Sequence, residues 1–401
     1  MPFTPLPVLW LCGPAGVGKS TASWQLYTEL ASTGVRVAFV DSDQICMCYP
    51  APPEDPGRQR LKALNAGAML ANFRAAGAQC AIINGVLDPA GLETELMPDA
   101  DVTICLLRAR GDEVEQRFTG KHSQWLDASA VDRMLEMTRD EIRLMDQNSF
   151  ADASVDTTGV PAREVAARVR VACADWPGFS GDLPDSDGDA DGGGDARGRG
   201  TVRRYPPATG RVTLVTGPTG VGKSTIAFRF YMNCLNAGLT AGYVDLRQIG
   251  FLRPARESDP DNQRLKARNL AAIWRNYHAA GATHLVASGI IDRPADFHLF
   301  GEELMGADLA IVRLRADPDE LARRIMTRGA GGSWPEPGDL LRGQAADCLA
   351  DLARLAGQHA EAIDRSEPGG LAVDTTGRSP EESADLIAGA VGWSISAETQ
   401  P

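Results

Sequence analysis

The sequence predicts an α/β fold made of two tandem domains, each with a five-stranded parallel sheet sandwiched by helices. Three observations predict it. A segment with a glycine-rich loop occurs twice, short apolar segments alternate with helical segments in both copies, and a stretch rich in Asp and Gly separates the copies. Short, continuously apolar strands that are joined by helices are typical of parallel sheets covered on both faces.

Each copy opens with the glycine-rich loop. The segment Val8–Thr21 returns as Val212–Thr225, an offset of 204 residues, and the correspondence continues without a gap to Ala78 and Ala282. Agreement of this length indicates an internal repeat of a whole domain rather than of one motif.

The repeat predicts the domain organisation. We expect a first domain over residues 6–176, a second domain over residues 210–395, and a flexible linker over residues 177–209. The linker contains the run Asp185–Gly194, whose Asp, Gly, Ala and Ser residues cannot bury a core. The second copy has gained residues, most of them between positions 328 and 371.

Apolar segments of strand length alternate with helical segments in both copies. The helix after the first loop has Ala22, Leu26 and Leu30 on one face, which is the spacing of an amphipathic helix. One expected strand leads into the second loop. The other expected strands are Val8–Cys12, Val35–Val40, Cys80–Ile83, Val102–Leu107, Ala153–Val155, Leu239–Val244, His284–Ala287, Leu309–Leu314 and Gly370–Val373.

Composition narrows the function classes. The chain has 401 residues with 40 Lys and Arg against 53 Asp and Glu, a net charge of −13, which disfavours a protein that coats nucleic acid or an anionic membrane. The eight cysteines are scattered and show no disulfide or zinc spacing. No apolar run is long enough to cross a membrane, and no signal peptide is recognisable. We therefore expect a cytoplasmic protein that acts on a small molecule.

Both loops fit the pattern GxxxxGK[ST] between a strand and a helix. In this context, backbone N–H groups at a helix N-terminus surround a phosphate, the lysine reaches the β- and γ-phosphates, and the serine holds Mg²⁺. We expect Lys19 and Lys223 to act in catalysis and Ser20 and Ser224 to bind the metal. The expected nucleotide-binding residues are Gly13, Ala15, Gly16, Val17, Gly18, Lys19, Ser20, Thr21, Gly217, Thr219, Gly220, Val221, Gly222, Lys223, Ser224 and Thr225.

An acidic residue closes the second strand of each copy, on the sheet edge that carries the loop. Asp41 and Asp245 could accept a proton from a substrate hydroxyl, bind Mg²⁺ through water, or simply cap the next helix. Asp43 follows Asp41 and is a candidate for substrate binding, whereas Arg247 stands at the equivalent place. The two sites are therefore not expected to share a substrate.

Cationic residues open the helix beyond a proline-rich loop in each copy. Arg60 with Lys62, and Arg264 with Lys266, are separated by one leucine. Arg60 and Arg264 are our candidates for binding an anionic part of the acceptor, and a solvated helix face is the alternative.

A second set of cations follows the fourth strand. Arg117 and Lys121, and likewise Arg324 and Arg328, share a helix face at i, i+4 spacing. We expect Arg117 and Arg324 to approach the triphosphate and stabilise transferring charge, with a surface salt-bridge helix as the alternative.

Acidic residues also follow the third and the last strands. Asp88 and Asp292 could hold Mg²⁺ through water. The loops Asp156–Gly159 and Asp374–Gly377 could line a base pocket or only cap the next helix.

The pattern resembles the small P-loop kinases, the group of shikimate, gluconate, adenylylsulfate and chloramphenicol kinases and zeta-toxin-like phosphotransferases. The resemblance rests on the GKST loops, the acids Asp41 and Asp245, the candidate lid cations and the Asp-Thr-Thr-Gly loops. It implies two kinase-like domains with mobile lids, Mg-ATP as donor, and an acceptor between the strand-two acid and the lid. The whole chain also resembles the tandem P-loop ATP-binding proteins of the AAA family in actinobacteria, which implies a fold and a nucleotide and little more.

Three functions remain after the sequence is read. The first is an ATP-dependent phosphotransferase that acts on the hydroxyl of a small molecule, with two duplicated nucleotide sites. The second is a nucleotide-dependent switch or regulatory ATPase without an acceptor, in which ATP binding closes the two halves and a partner protein reads that state. The two repeats could pack as an intramolecular pseudo-dimer or remain independent halves. The third is a kinase of nucleic-acid ends, which the acidic charge disfavours.

Overall fold

The computed structural model describes residues 4–89, 93–123, 127–184, 208–291, 293–332, 338–366 and 371–392. Most of the expected linker, the candidate metal ligand Asp292 and part of the expected second-copy insertion lie outside the described residues.

The first copy begins with a strand and continues with helices and strands that mostly alternate. Its elements are β1 (Leu6–Cys12), α1 (Lys19–Ser32), β2 (Val37–Asp41), β3 (Cys48–Tyr49), α2 (Gln59–Ala75), β4 (Cys80–Asn84), β5 (Ala100–Arg108), α3 (Gly111–His122), α4 (Ala128–Gln147), β6 (Ala153–Asp156), α5 (Ala162–Ala172) and α6 (Pro177–Ser180).

The second copy repeats this order and adds a helix before its fourth long strand. Its elements are β7 (Arg211–Thr216), α7 (Lys223–Asn236), β8 (Ala241–Asp245), β9 (Leu252–Arg253), α8 (Gln263–Ala279), β10 (His284–Ser288), α9 (Pro294–Glu303), β11 (Asp308–Arg315), α10 (Pro318–Gly329), α11 (Ala346–Ser366), β12 (Leu371–Asp374) and α12 (Pro380–Ala390).

The five parallel strands expected in each copy are confirmed. They follow the order β6-β5-β1-β4-β2 in the first sheet and β12-β11-β7-β10-β8 in the second. The strand that leads into the glycine loop lies at the centre of each sheet. β1 is next to β4, and β7 is next to β10. Since all five strands run in parallel, the glycine loop and the ends of the second and third strands meet at one sheet edge.

Each sheet has a sixth strand, which the sequence did not predict and which comes from the other copy. β9 pairs antiparallel with β2, and Phe39 N–H donates to the Phe251 oxygen at 2.9 Å. Reciprocally, β3 pairs antiparallel with β8, and Tyr243 N–H donates to the Met47 oxygen at 2.8 Å. A strand of two residues is too short for a periodic pattern, so the sequence gives no sign of it. The exchange covers the outer edges of β2 and β8.

Helices α2 and α8 pack against each other between the two sheets. Asn72 Nδ2 donates to Asn269 Oδ1 and Asn276 Nδ2 donates to Asn65 Oδ1, both at 2.9 Å. These bonds are related by the repeat, as in a two-fold symmetric dimer. One buried apolar cluster, which includes Phe73, extends through both copies.

The described beginning of the expected linker lies against the first copy. The rings of Trp176 and Phe179 are 4.8 Å apart and nearly perpendicular, and Gln79 Nε2 donates to the Pro184 oxygen at 3.3 Å. Among the described residues, no helix has the length and apolar character to span a membrane.

Candidate active sites

The glycine loops have backbone conformations that only glycine adopts easily. Gly13 has φ +143°, and a Cβ there would come within 2.5 Å of the Leu107 oxygen. Gly16 has φ +87°, and a Cβ there would come within 2.8 Å of the Val114 oxygen. Side chains are thereby kept out of the loop, and α1 begins directly after it without a side-chain cap. Its first amides are free for an anion, which fits a phosphate.

The loop lysines fold back over their loops. Lys19 Nζ donates to the Gly13 oxygen at 2.8 Å and to the Pro14 oxygen at 3.0 Å, and Lys223 Nζ donates to the Pro218 oxygen at 2.8 Å. Burial lowers the pKa of both ammonium groups, and that of Lys223 falls to about 7. Nearby carboxylates, among them Asp43 at the first loop and Asp245 at the second, oppose this effect, and the negative charge of a polyphosphate would add to theirs.

The other loop residues divide by exposure. Val17 and Val221 are buried in the domain cores, so only their backbone can reach a nucleotide, whereas Thr21 and Thr225 are exposed on the first helical turn.

The loop serine and the strand-two acid meet at the sheet edge in the first copy. Asn84, at the end of β4, donates from Nδ2 to Ser20 Oγ at 3.1 Å and to Asp41 Oδ2 at 3.3 Å. Asn84 Oδ1 is buried and finds no hydrogen-bond partner among the described residues. A hydroxyl, a carboxylate and an unsatisfied amide oxygen are ligands suited to Mg²⁺ and its water molecules.

The second copy joins the same two groups directly. Ser224 Oγ donates to Asp245 Oδ2 at 2.7 Å, and Ser288, which replaces the asparagine, lies 3.5 Å from the same oxygen. Tyr243 OH in turn lies 3.0 Å from Ser288 Oγ. This set also fits Mg²⁺.

Two carboxylates share the first site. Burial, and then the nearby charge of Asp43, raise the pKa of Asp41 to about 7. Burial would raise the pKa of Asp43 too, but the charges of Lys62 and Lys19 lower it. Lys62 Nζ donates to Asp43 Oδ1 at 2.8 Å, so the pair separates into one readily ionised carboxylate and one that takes up a proton near neutral pH.

The structure does not bring Arg60 or Arg264 to the sites. Arg60 forms an ion pair with Glu93, and Arg264 is exposed at the start of α8. Residues two apart on a helix point to opposite sides, so Lys62 faces the site and Arg60 faces solvent.

Arg117 and Arg324 lie beside the loops, where each joins two segments. Arg117 Nη1 is 3.5 Å from the Val17 oxygen, and its Nη2 donates to the Thr157 oxygen at 2.9 Å. Arg324 makes the equivalent bonds, with 2.8 Å to both Val221 and Thr375 oxygens. In this conformation the arginines hold the Asp-Thr-Thr-Gly loops against the glycine loops. One turn later, the charges of Asp41 and Asp43 act on Lys121, and Arg328 pairs with Asp339.

Besides Asn84, a further residue at the first site was not found by sequence reasoning. Glu141 of α4 accepts a hydrogen bond from the Ala15 N–H at 3.1 Å, so its carboxylate occupies the mouth of the glycine loop. Burial raises the pKa of this carboxyl. The contact joins segments 126 positions apart, and Glu141 looks like any polar residue of an amphipathic helix.

No family model and no curated protein matches the chain. Among solved structures, it is similar to a tunicamycin resistance protein of Deinococcus radiodurans (18% identity, TM-score 0.31, covering 46% of this chain and 96% of that chain). It is also similar to the APS kinase CysC of Mycobacterium tuberculosis in complex with AMPPNP and APS (18%, 0.30, 47% and 99%) and to a gluconokinase from Sinorhizobium meliloti 1021 (14%, 0.28, 44% and 92%). At these values the similarities carry no argument about activity, which rests on the residues of this chain.

Proposed function

We propose that the protein is a Mg-ATP-dependent phosphotransferase, located in the cytoplasm, whose first site acts on the hydroxyl group of a small molecule. The observation that carries the proposal is the meeting of Lys19, Ser20 and Asp41 at one sheet edge, with Asn84 bonded to both Ser20 and Asp41. A loop for polyphosphate and a carboxylate that can take a proton therefore lie side by side.

Each residue has a role in the transfer. The loop amides and Lys19 hold the β- and γ-phosphates, and Ser20 would hold Mg²⁺, which offsets the negative charge of the phosphates. Asp41 accepts the proton of the acceptor hydroxyl. At the same time the hydroxyl oxygen bonds to the γ-phosphorus, and the bond from the γ-phosphorus to the leaving ADP breaks. Arg117 keeps the glycine loop and the Thr157 loop together, and its guanidinium group beside the loop stabilises the charge that develops on the transferred phosphate.

The test separates the two sites. We expect Lys19→Ala to lower acceptor-dependent phosphate transfer by the first site by about 10²-fold or more, because the lysine neutralises charge that develops in transfer. Lys223→Ala should do the same for the second site. Transfer to a panel of hydroxyl compounds is measured with ATP and with GTP.

A control is Arg354→Gln on α11, because this arginine is exposed and forms an ion pair with the exposed Asp351, away from both loops. Full transfer by the double variant Lys19→Ala, Lys223→Ala would contradict the proposal.

A nucleotide-dependent switch is the second candidate, and the strand exchange favours it. β3 begins seven residues after Asp41 in the sequence and is bound to the sheet of the other copy, so movement at one site reaches the other domain. This function predicts slow ATP hydrolysis that no acceptor accelerates.

A further inference from the structure

The two sites differ in charge on the side of the strand-two acids. The repeat places Arg247 where the first copy has Asp43, while Lys62 and Lys266 correspond. The lysine is thus kept but its carboxylate partner is replaced by a second cation.

In the first copy this lysine is neutralised within the protein. Lys62 is 4% exposed, and its ammonium group donates to Asp43 Oδ1 at 2.8 Å and to the Val86 oxygen at 2.6 Å. The Asp43 side chain remains 43% exposed, so a ligand entering here meets a carboxylate.

In the second copy the lysine has no such partner. Lys266 makes no ion pair or hydrogen bond to any residue that the structure describes, and its side chain lies against Gly250. Burial lowers the pKa of its ammonium group, and only more distant carboxylates, beginning with Asp261, oppose the effect. Lys266 is half-buried and has no bonded partner among the described residues, so an anionic ligand would give its ammonium group a charge-assisted hydrogen bond.

Arg247 and Arg328 reach the same region from two elements. Arg247 follows β8, and its Nη1 donates to the Gly338 oxygen at 3.3 Å, beyond α10. Arg328, on α10, uses Nε to bind Asp339 at 2.9 Å. Against the effect of burial, the hydrogen bond from the Leu341 N–H, the bond from Arg328 and the charges of Arg328 and Arg247 lower the pKa of Asp339. Among the described residues of this site, a guanidinium group thus stands in place of the Asp43 carboxylate of the first copy.

We infer that the second site takes an anionic acceptor, a small hydroxyl compound that carries a carboxylate or phosphate group bound by Arg247 and Lys266. The inference rests on the proposed phosphotransfer. The acceptor hydroxyl loses its proton to Asp245, its oxygen bonds to the γ-phosphorus, and the bond to ADP breaks. The two halves then phosphorylate acceptors of different charge, and the first prefers neutral or cationic ones.

The experiment uses the full chain with one loop lysine replaced. A panel of polyols is prepared in which each member exists as the neutral compound, the carboxylate and the phosphate ester. With Lys19→Ala, so that only the second loop is intact, we expect kcat/KM for anionic members to exceed that for the neutral ones by about tenfold or more, as each charge-assisted bond contributes about 1.5 to 3 kcal/mol. The carboxylate and phosphate members show which group fits better.

Exchanging the charged residues between the two copies tests whether Arg247 causes the preference for anions. Arg247→Asp, which restores the residue of the first copy, should abolish the preference for anions, and Arg247→Gln should reduce it if the acidic variant does not fold. Asp43→Arg in a Lys223→Ala chain should create the preference in the first site. Arg268→Gln is the matched control on α8, because Arg268 is exposed and pairs with Glu303.

Binding distinguishes failure of this inference from failure of the proposed function. Calorimetric titration of the same panel in the presence of AMPPNP needs no transfer. Anion-selective binding that is lost in Arg247→Asp supports the inference even when no member is phosphorylated. Equal binding of neutral and anionic members, no binding of any anionic member, or an unchanged preference in Arg247→Asp overturns it.

Discussion

In the proposed mechanism, the ionisation of Asp41 controls the first site. Burial and the charge of Asp43 raise its pKa to about 7, and a protonated carboxyl cannot accept the hydroxyl proton. In a Lys223→Ala chain, we therefore expect kcat/KM for transfer to rise with pH through about 7. Asp41→Asn should lower it by about 10² to 10⁴-fold, the usual contribution of a general base.

Asp43→Asn is the control for the assignment of Asp41 as the ionising group. It removes the negative charge that raises the pKa of Asp41 and leaves the charge of Lys62 uncompensated, and both effects favour the ionised form of Asp41. The rise in the pH profile should move to lower pH, and an unmoved profile would contradict the assignment of Asp41 as the ionising group.

The sequence could predict some of these residues because a local pattern carries their chemistry. Lys19 and Ser20 lie in a motif, and Asp41 ends an apolar strand. The contribution of Asn84 depends on which strands are neighbours in the sheet, and that of Lys62 depends on which side of α2 faces the site. Neither contribution can be predicted from the spacing of residues along the chain.

At the scale of elements, α4 places the carboxylate of Glu141 at the first glycine loop, where we propose that phosphate binds. The Ala15 N–H that would bind a phosphate oxygen is occupied by Glu141, whose charge also repels polyphosphate. We expect Glu141→Gln to raise the affinity of the first loop for AMPPNP by roughly tenfold, since a hydrogen bond to a charged group contributes about 1.5 to 3 kcal/mol. Calorimetry on the Lys223→Ala chain measures it.

Glu136→Gln is the matched control, because Glu136 is an exposed residue of the same helix. If both variants bind AMPPNP equally well, the contact between α4 and the loop has no effect on the nucleotide. The central strands β1, β2, β4, β7, β8 and β10 were predictable because each is a mostly buried apolar run, but β3, β9 and the contact of α4 depend on segments far away in sequence.

At the scale of the whole molecule, the two copies complete each other's sheets. A first half that ends at Pro184 would lose β9 from the edge of β2 and α8 from the apolar face of α2, while it keeps β3 and α2. Because β3 corresponds to β9 and α2 to α8, two copies of this half can form the same contacts with each other. We expect the isolated half to be a homodimer by size-exclusion chromatography with light scattering, with a lower thermal unfolding midpoint than the full chain. Co-expression with residues 208–401 should give the heterodimer instead. A monomeric first half that unfolds at the temperature of the full chain would show that the strand exchange adds nothing to stability.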